Sequence, residues 1–512
     1  MTHRIEGFLD AFKAKAARVP EQVFARFNGE PITFGELDAL SSAFAAHLRH
    51  LGVARGDRVA VMMRNSRYSL ALLFGLAKAG IVWVPVNVQL KGDGLAYIVA
   101  HCGADTIVCD ADVVPVLAEC GVVIDAYRLI VAGDATAENR LEAIMAEHAP
   151  FDEEPPGAQD LFAIMYTSGT TGRPKGVLVS HGMMRLAGEA VRQLSMARAG
   201  DVFFVWEPLY HIGGSQLIIL PIIEDVVLAM VDRFSASRFW SQVRRYGATH
   251  IHYLGGILQI LLKQLEVPDD KEHPVRVAWG GGCPKEVWHR FQDRFGVEMR
   301  ECYGMTEASS ITTCNDLGIA GAVGRAMPWF TVEIQDESGR ALPAGERGEI
   351  VVRSSLEGAI FRGYLNNPEA TAKTLKDGAL HTGDCGSLDE DGVLWFHGRL
   401  TDSVRCKGEN VSAWEVEHIA GAHPAVEDCA MIGVATDIGE QDIKLFVKPK
   451  AGSIIDPAAL SAWLAERLAP YQQPRYLEVI DEFERTPSQR IMKHRLSRDV
   501  AASWDRLAAD AG

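Results

Sequence analysis

The stretch Tyr166-Thr-Ser-Gly-Thr-Thr-Gly-Arg-Pro-Lys-Gly176 decides how this chain is read. It follows an apolar run at 161–165 (LFAIM) that reads as a buried strand. It leads into Val177-Leu-Val-Ser-His181, a second short apolar run ending in a helix-start signal. A loop of Gly, Thr and Ser between two such elements offers backbone N–H groups and hydroxyls with few bulky side chains. A polyphosphate needs that arrangement: converging donors, no Cβ in the way, and one cation, Lys175, to share the charge. The run is not a Walker A loop, where a Lys-Ser/Thr pair opens a helix and the hydroxyl meets magnesium. Here Pro174 precedes Lys175 and Gly176 follows it. The hydroxyls lie upstream, at Thr167, Ser168, Thr170 and Thr171.

At 512 residues the chain exceeds one ordinary core, so two or more domains are expected. A hydrophobic content of 48% with 23% charged residues fits a soluble globular protein. The net charge of −16 argues against a nucleic-acid partner and against adhesion to an anionic membrane. The N-terminus lacks the apolar core of a signal peptide, and the most apolar windows are broken by Lys78 and by Pro221, Glu224 and Asp225. No integral membrane segment is therefore expected. Nine scattered cysteines without a CxxC pair point to reduced thiols in a cytoplasmic enzyme. Cys302 reads as a small buried residue in preference to a reactive thiol.

Outward from the loop, helical spacing at 34–52, 68–79 and 94–102 alternates with strands at 58–63, 81–86 and 106–109. The pattern resumes across 161–260 and 275–303. Such alternation predicts an α/β fold with mainly parallel sheets. After about residue 320, short strands at 331–335, 348–353 and 393–397 are separated by Ser338-Gly339 and Asp391-Gly392, which predicts a small β-barrel subdomain. Beyond 402 a compact α+β pattern follows: helix 413–421, strands 426–434 and 443–448, helix 457–468. The expected division is an N-terminal domain at 1–399 with its β-rich part at about 320–399, a joint at 400–402, and a C-terminal domain at 403–512.

The glycine-rich stretch resembles the phosphate loop of the adenylate-forming, AMP-binding enzymes: acyl- and aryl-CoA synthetases, luciferases and peptide-synthetase adenylation domains. Other stretches recur in that family's order. Trp279-Gly-Gly-Gly-Cys-Pro284 matches the place where the family lays adenine, which implies Gly281, Gly282 and Cys283. In Glu301-Cys-Tyr-Gly-Met-Thr-Glu307 the resemblance puts Tyr303 and Gly304 at adenine, Thr306 at the α-phosphate and Glu307 on Mg²⁺. Its loop implies Thr167, Ser168, Gly169, Thr170, Thr171 and Gly172 as phosphate contacts, with Lys175. His381-Thr-Gly-Asp384 and Arg399 match the ribose contacts. A carboxylate accepting two hydroxyls suits that task. Asp402 matches the family's hinge, and Gly408 and Glu409 its pantetheine tunnel. The GENVSAWEVE run resembles the crotonobetaine/carnitine-CoA ligase branch. In Glu207-Pro-Leu-Tyr-His-Ile-Gly-Gly214, His211 matches the histidine near the substrate carboxylate. Trp206, Tyr210, Tyr253, Gly280 and Met305 are candidate acyl-pocket walls.

One position departs from the family. Where it carries a C-terminal lysine in a TPSGK-like pattern, this chain reads Arg485-Thr-Pro-Ser-Gln-Arg490, with Lys493 three residues on. Arg490 keeps the charge, though arginine and lysine differ in reach and hydration. Either Arg490 or Lys493 takes the lysine's part. The resemblance implies an ATP-dependent acyl-CoA synthetase with Mg²⁺ and coenzyme A, a small-molecule carboxylate substrate, a mobile C-terminal lid, and a homodimer as one admissible assembly. A carrier-protein-loading adenylating enzyme and a catalytically impaired nucleotide-binding homologue are the alternatives.

Overall fold

The computed structural model describes residues 5–510 apart from 123–124, 126–127, 135, 138, 168–173, 401–402, 407–408, 436–440, 469, 471 and 486–490. It divides into two compact units, residues 1–332 with 352–381, and residues 333–351 with 382–512.

The first unit holds two large sheets. One runs in the order Leu129–Ala132, Thr106–Asp110, Arg58–Met62, Val82–Pro85, Leu161–Thr167, Lys175–Ser180. All neighbours are parallel until the last pair, an antiparallel hairpin at the edge. The other runs Glu298–Glu301, Val277–Gly281, His250–Leu254, Val202–Val205, Val227–Met230, Val23–Phe27, Glu30–Thr33, again parallel but for an edge hairpin. The parallel α/β expectation therefore holds, with one antiparallel hairpin closing each sheet. The two faces of such sheets are buried by helices, which is why their strands are apolar almost throughout.

The helix Phe34–His50 starts where the sequence places a cap. Thr33 accepts the Glu36 N–H, and the Glu36 carboxylate accepts the Thr33 N–H in return, opening Phe34–His50. Its buried face of Phe34, Leu37, Phe44 and Leu48 meets the helix Arg67–Lys78. Gly75 permits the approach, since a Cβ there would stand 2.8 Å from the Ser41 carbonyl oxygen. One core cluster of the seven-stranded sheet contains Phe204, Phe239, Trp240, Ile251, Tyr253, Trp288, Phe291 and Phe295. The C-terminal ends of four of its parallel strands deliver residues 206–207, 254–255, 282–283 and 302–303 to the same edge, where open α/β sheets place their ligands.

The β-rich segment forms a five-stranded sheet in the order Phe330–Gln335, Gly348–Ser354, Ala379–Leu388, Leu375–Lys376, with Leu394–Arg399 also pairing to Ala379–Leu388. The last part of the chain is α+β. A sheet of Val426–Ala435, Gln441–Pro449, Tyr476–Val479 and Trp504–Asp505 shares a core of Val416, Leu445, Leu460 and Leu477 with the helices Ala413–Gly421 and Pro457–Ala465. Among the described residues no helix is long and apolar enough to cross a membrane.

Candidate active site

The hairpin of the six-stranded sheet frames the glycine-rich loop. Thr167 and Lys175 are cross-strand partners, so they form its mouth. Ser168, Gly169, Thr170, Thr171 and Gly172 lie outside the described residues. Gly176 fits because a Cβ would meet Ile164 at 2.7 Å. Its carbonyl accepts the Leu365 N–H, and the Leu178 N–H reaches the Gly363 carbonyl, so residues 363–365 run along the hairpin's outer edge. That places the Tyr364 ring under Lys175, whose ammonium stands 5.1 Å from the ring centroid. The Tyr364 hydroxyl donates to Glu307 Oε1 at 2.8 Å. Phe361 N–H also donates to the Glu307 carbonyl. Lys175, Tyr364 and buried Glu307 thus form one connected set. Tyr364 escaped the sequence reading because nothing in its spacing ties it to residues 57 and 189 positions earlier.

A second set lies at the ends of the strands Val277–Gly281 and Glu298–Glu301. Gly282 has φ +84° and is exposed, and Gly304 is exposed beside Tyr303. Gly304 tolerates no side chain, as a Cβ would stand 1.9 Å from the Ser310 carbonyl oxygen. Tyr303 is anchored by its own N–H, donated to the Thr313 hydroxyl. Thr306 and Glu307 share a short 3₁₀ turn, Thr306–Ala308, followed by left-handed Ser309 and Ser310. The Cys283 and Cys302 thiols are both pushed up by burial, which disfavours the thiolate.

Residues 12–365 match the AMP-binding enzyme family, and residues 415–490 match the AMP-binding enzyme C-terminal domain. The chain belongs to the AMP-binding enzyme family. Its relatives include the crotonobetaine/carnitine–CoA ligase of Salmonella paratyphi A, 31% identical over 484 residues covering 88% of this chain and 90% of that one. Among solved structures, ATP-bound MatB from Rhodopseudomonas palustris shares 26% identity at a TM-score of 0.84, covering 95% of this chain and 98% of that one. The o-succinylbenzoate CoA synthetase of Bacillus subtilis, in complex with its acyl-adenylate intermediate, shares the fold at 23% identity and a TM-score of 0.85. It covers 96% of this chain and 99% of that one.

In this AMP-binding enzyme the residues at 206–216 form a buried polar corner. Asn65 braces it, donating to the Glu207 carbonyl and accepting the Leu209 N–H. Trp206 donates its indole N–H to the His252 carbonyl. The Glu207 carboxylate lies 2.9 Å from His252 Nδ1, without the alignment of a hydrogen bond. Gly213 makes room for it, since a Cβ there would stand 2.6 Å from Glu207 Oε2. The His252 ring in turn lies 4.4 Å from that of Trp279. The sequence shows Glu207 only as the residue before a proline, with nothing to mark its burial. His211 and Tyr210 are half-buried, with ring centroids 4.7 Å apart. Burial pushes the Tyr210 hydroxyl up to about 12. Met305 is half-buried, and Gly280 is buried at a close strand approach, 1.9 Å from the Tyr253 carbonyl oxygen if it carried a Cβ.

Tyr253 corrects an expectation. It is not a pocket wall: its ring is 1% exposed in the core, and its hydroxyl is held by Glu301 and the Arg300 carbonyl.

In the second unit Asp384 and Arg399 are cross-strand partners with Arg399 Nε 3.4 Å from Asp384 Oδ1. Gly383 precedes Asp384 within the strand Ala379–Leu388 at φ +70°, its N–H donated to Glu349. Asp402, Gly408 and Arg490 lie outside the described residues. The backbone of Glu409 opens the strand Glu409–Ser412. Lys493 is in an ion pair with Glu417, Nζ to Oε1 at 2.8 Å.

Proposed function

We propose that this AMP-binding enzyme is an ATP-dependent acyl-CoA synthetase working in two steps. A carboxylate oxygen of the acid attacks the α-phosphorus of ATP, the α–β bridging bond breaks, and pyrophosphate leaves behind an acyl-adenylate. The coenzyme A sulfur then attacks the acyl carbon, losing its proton as AMP departs, and a thioester remains. The observation that carries the reading is the Lys175–Tyr364–Glu307 set at the mouth of the loop: a cation and a carboxylate held on one phenol beside a phosphate cradle. The match of both family segments and relatives named as CoA ligases support it.

In this reading Thr167, residues 168–172 and Lys175 take the phosphates, and Thr306 the α-phosphate. Gly281, Gly282, Cys283, Tyr303 and Gly304 take adenine, and Asp384 with Arg399 the ribose. Catalysis is positioning and charge stabilisation. Glu307 would hold Mg²⁺. Among the described residues there is no cluster of three or more metal-ligating side chains. A single hard carboxylate fits an ion that takes its other ligands from phosphates and water. When bound, the ion would neutralise charge on the transferring phosphate. His211 takes the substrate carboxylate. Asp402 acts as the hinge that exchanges Arg490 for Gly408 and Glu409 between the two steps. Because Lys493 is engaged by Glu417, Arg490 is the better replacement for the family lysine. The scattered cysteines favour a cytoplasmic setting, and sedimentation would decide whether the chain works as a homodimer.

The acyl group is bounded by Trp206, Tyr210, Gly280 and Met305. Buried Glu207, next to Trp206 and 2.9 Å from His252, would bring a polar acceptor to the acyl group, which favours a short acid with a hydrogen-bond donor or a cationic tail. The name of the curated relatives agrees with a betaine-type acid. The test is pyrophosphate release across matched ammonium, hydroxyl and all-carbon acids, with the Glu207→Met variant alongside. A preference for polar tails that Glu207→Met abolishes is expected. An all-carbon acid preferred equally by both proteins would refute the pocket assignment.

A further inference from the structure

Beneath the exposed Gly282 lies a carboxylate that no step above uses. Glu301 is 3% exposed and ends the strand Glu298–Glu301, two residues before Tyr303. Its Oε1 accepts the Gly282 N–H at 2.5 Å, and the Cys283 N–H lies 3.2 Å from both oxygens. Its Oε2 accepts the Tyr253 hydroxyl at 2.7 Å. Successive N–H groups around a left-handed glycine form a small anion-binding concavity. Here the chain fills that concavity with its own side chain, from below.

We propose that Glu301 is a positioning residue for the nucleotide. It ties the 282–283 turn to the strand that carries Tyr303, and so sets the width of the slot that takes the adenine ring. The inference rests on reading Gly281–Cys283 and Tyr303 as that slot.

The same geometry makes the slot responsive to protons. Burial pushes the Glu301 carboxyl up to about 8, against the pull of the Tyr253 hydroxyl and the Cys283 and Gly282 N–H groups. The other titratable groups facing it are Tyr253, from the strand His250–Leu254, Cys283, after Val277–Gly281, and Cys302, after its own strand. Burial raises all three, leaving them neutral at pH 7–9. Tyr253 accommodates either state of Glu301, because its hydroxyl has two acceptors in reach: Glu301 Oε2 and the Arg300 carbonyl at 2.9 Å. With Glu301 ionised, the phenol donates to the carboxylate. With Glu301 protonated, the acid donates to the phenol oxygen and the phenol turns to Arg300. The N–H bonds to the turn are charge-assisted only in the ionised state.

Calorimetric titration of AMP into the full chain at pH 6.5, 7.5, 8.5 and 9.0 tests this. Wild type should bind AMP severalfold more tightly at 9.0 than at 6.5. Glu301→Gln should bind with a flatter profile, keeping a side chain that still fills the concavity. Glu301→Ala should bind about tenfold more weakly at all pH values, because the Gly282 and Cys283 N–H groups lose the acceptor that holds the turn. Tyr253→Phe should move the wild-type midpoint upward, having lost a donor to the carboxylate. If Glu301→Ala fails to fold, Glu301→Gln and Tyr253→Phe carry the test. A pH profile identical in wild type and Glu301→Gln would overturn the proposal. Wild-type protein that binds no AMP at any pH would instead overturn the slot assignment beneath it.

Discussion

Each residue of the phosphate-end set acts through the next, so its substitutions should act on different measurements. Tyr364→Phe keeps the ring under Lys175 and removes only the hydroxyl on Glu307. The half-saturating Mg²⁺ concentration for pyrophosphate release should rise about three- to tenfold, the worth of one ordinary hydrogen bond. An unchanged Mg²⁺ dependence would separate Glu307 from the metal. Glu301 also bears on stability. Its folded carboxyl titrates near 8, far above its ordinary 4.5, so the folded state holds a proton that the unfolded chain releases. Stability from this group is complete below about pH 4.5 and is lost as pH rises through 8. The melting temperature of Glu301→Gln relative to wild type should therefore climb from pH 5 to about pH 8 and then level off, as followed by circular dichroism. A constant difference would place the ionisation elsewhere.

At the scale of elements, glycines mark where backbones meet and where they merely turn. Gly304 lies against the Ser310 carbonyl, and Gly304→Ala should cost about 1–3 kcal/mol in chemical denaturation through overpacking. Gly94 lies in the helix Gly92–Cys102 with open space around its Cα, and Gly94→Ala should stabilise by about 0.5–1 kcal/mol. The same scale explains what could be read from sequence. Periodicity gave the helices Phe34–His50 and Arg67–Lys78 to within two residues, because their caps are local. Both edge hairpins escaped it: Asn28-Gly29 is a local turn signal between Phe27 and Glu30 that helical periodicity does not register, and the glycine-rich run after Thr167 reads as a loop and not as a hairpin turn. Tyr253 misled for another reason: an aromatic residue at the end of a strand that reaches the candidate site looks like a pocket wall. Only the neighbouring strand shows its hydroxyl bound to Glu301. Tyr364, Glu207 and Glu301 were invisible as functional residues because burial and a distant partner define them, and neither is written in spacing.

For the whole molecule, two chemistries on one chain require that a substitution can slow one and spare the other. Arg490→Ala should slow adenylation about 100-fold or more, the order expected for a lost charge-stabilising group. Thioester formation from a supplied acyl-adenylate should be nearly unchanged. Arg490→Lys should restore much of the first step, while Lys493→Ala should act mainly on stability by removing one partner of Glu417. Equal loss of both half-reactions in Arg490→Ala would deny the division of labour between the two conformations.

The most direct test of the central claim is pyrophosphate release measured against short carboxylic acids, with and without coenzyme A. The account predicts an acid-dependent burst of pyrophosphate without coenzyme A, then sustained turnover with stoichiometric thioester and AMP once it is added. Pyrophosphate release that coenzyme A leaves unaltered, with no thioester formed, would contradict it.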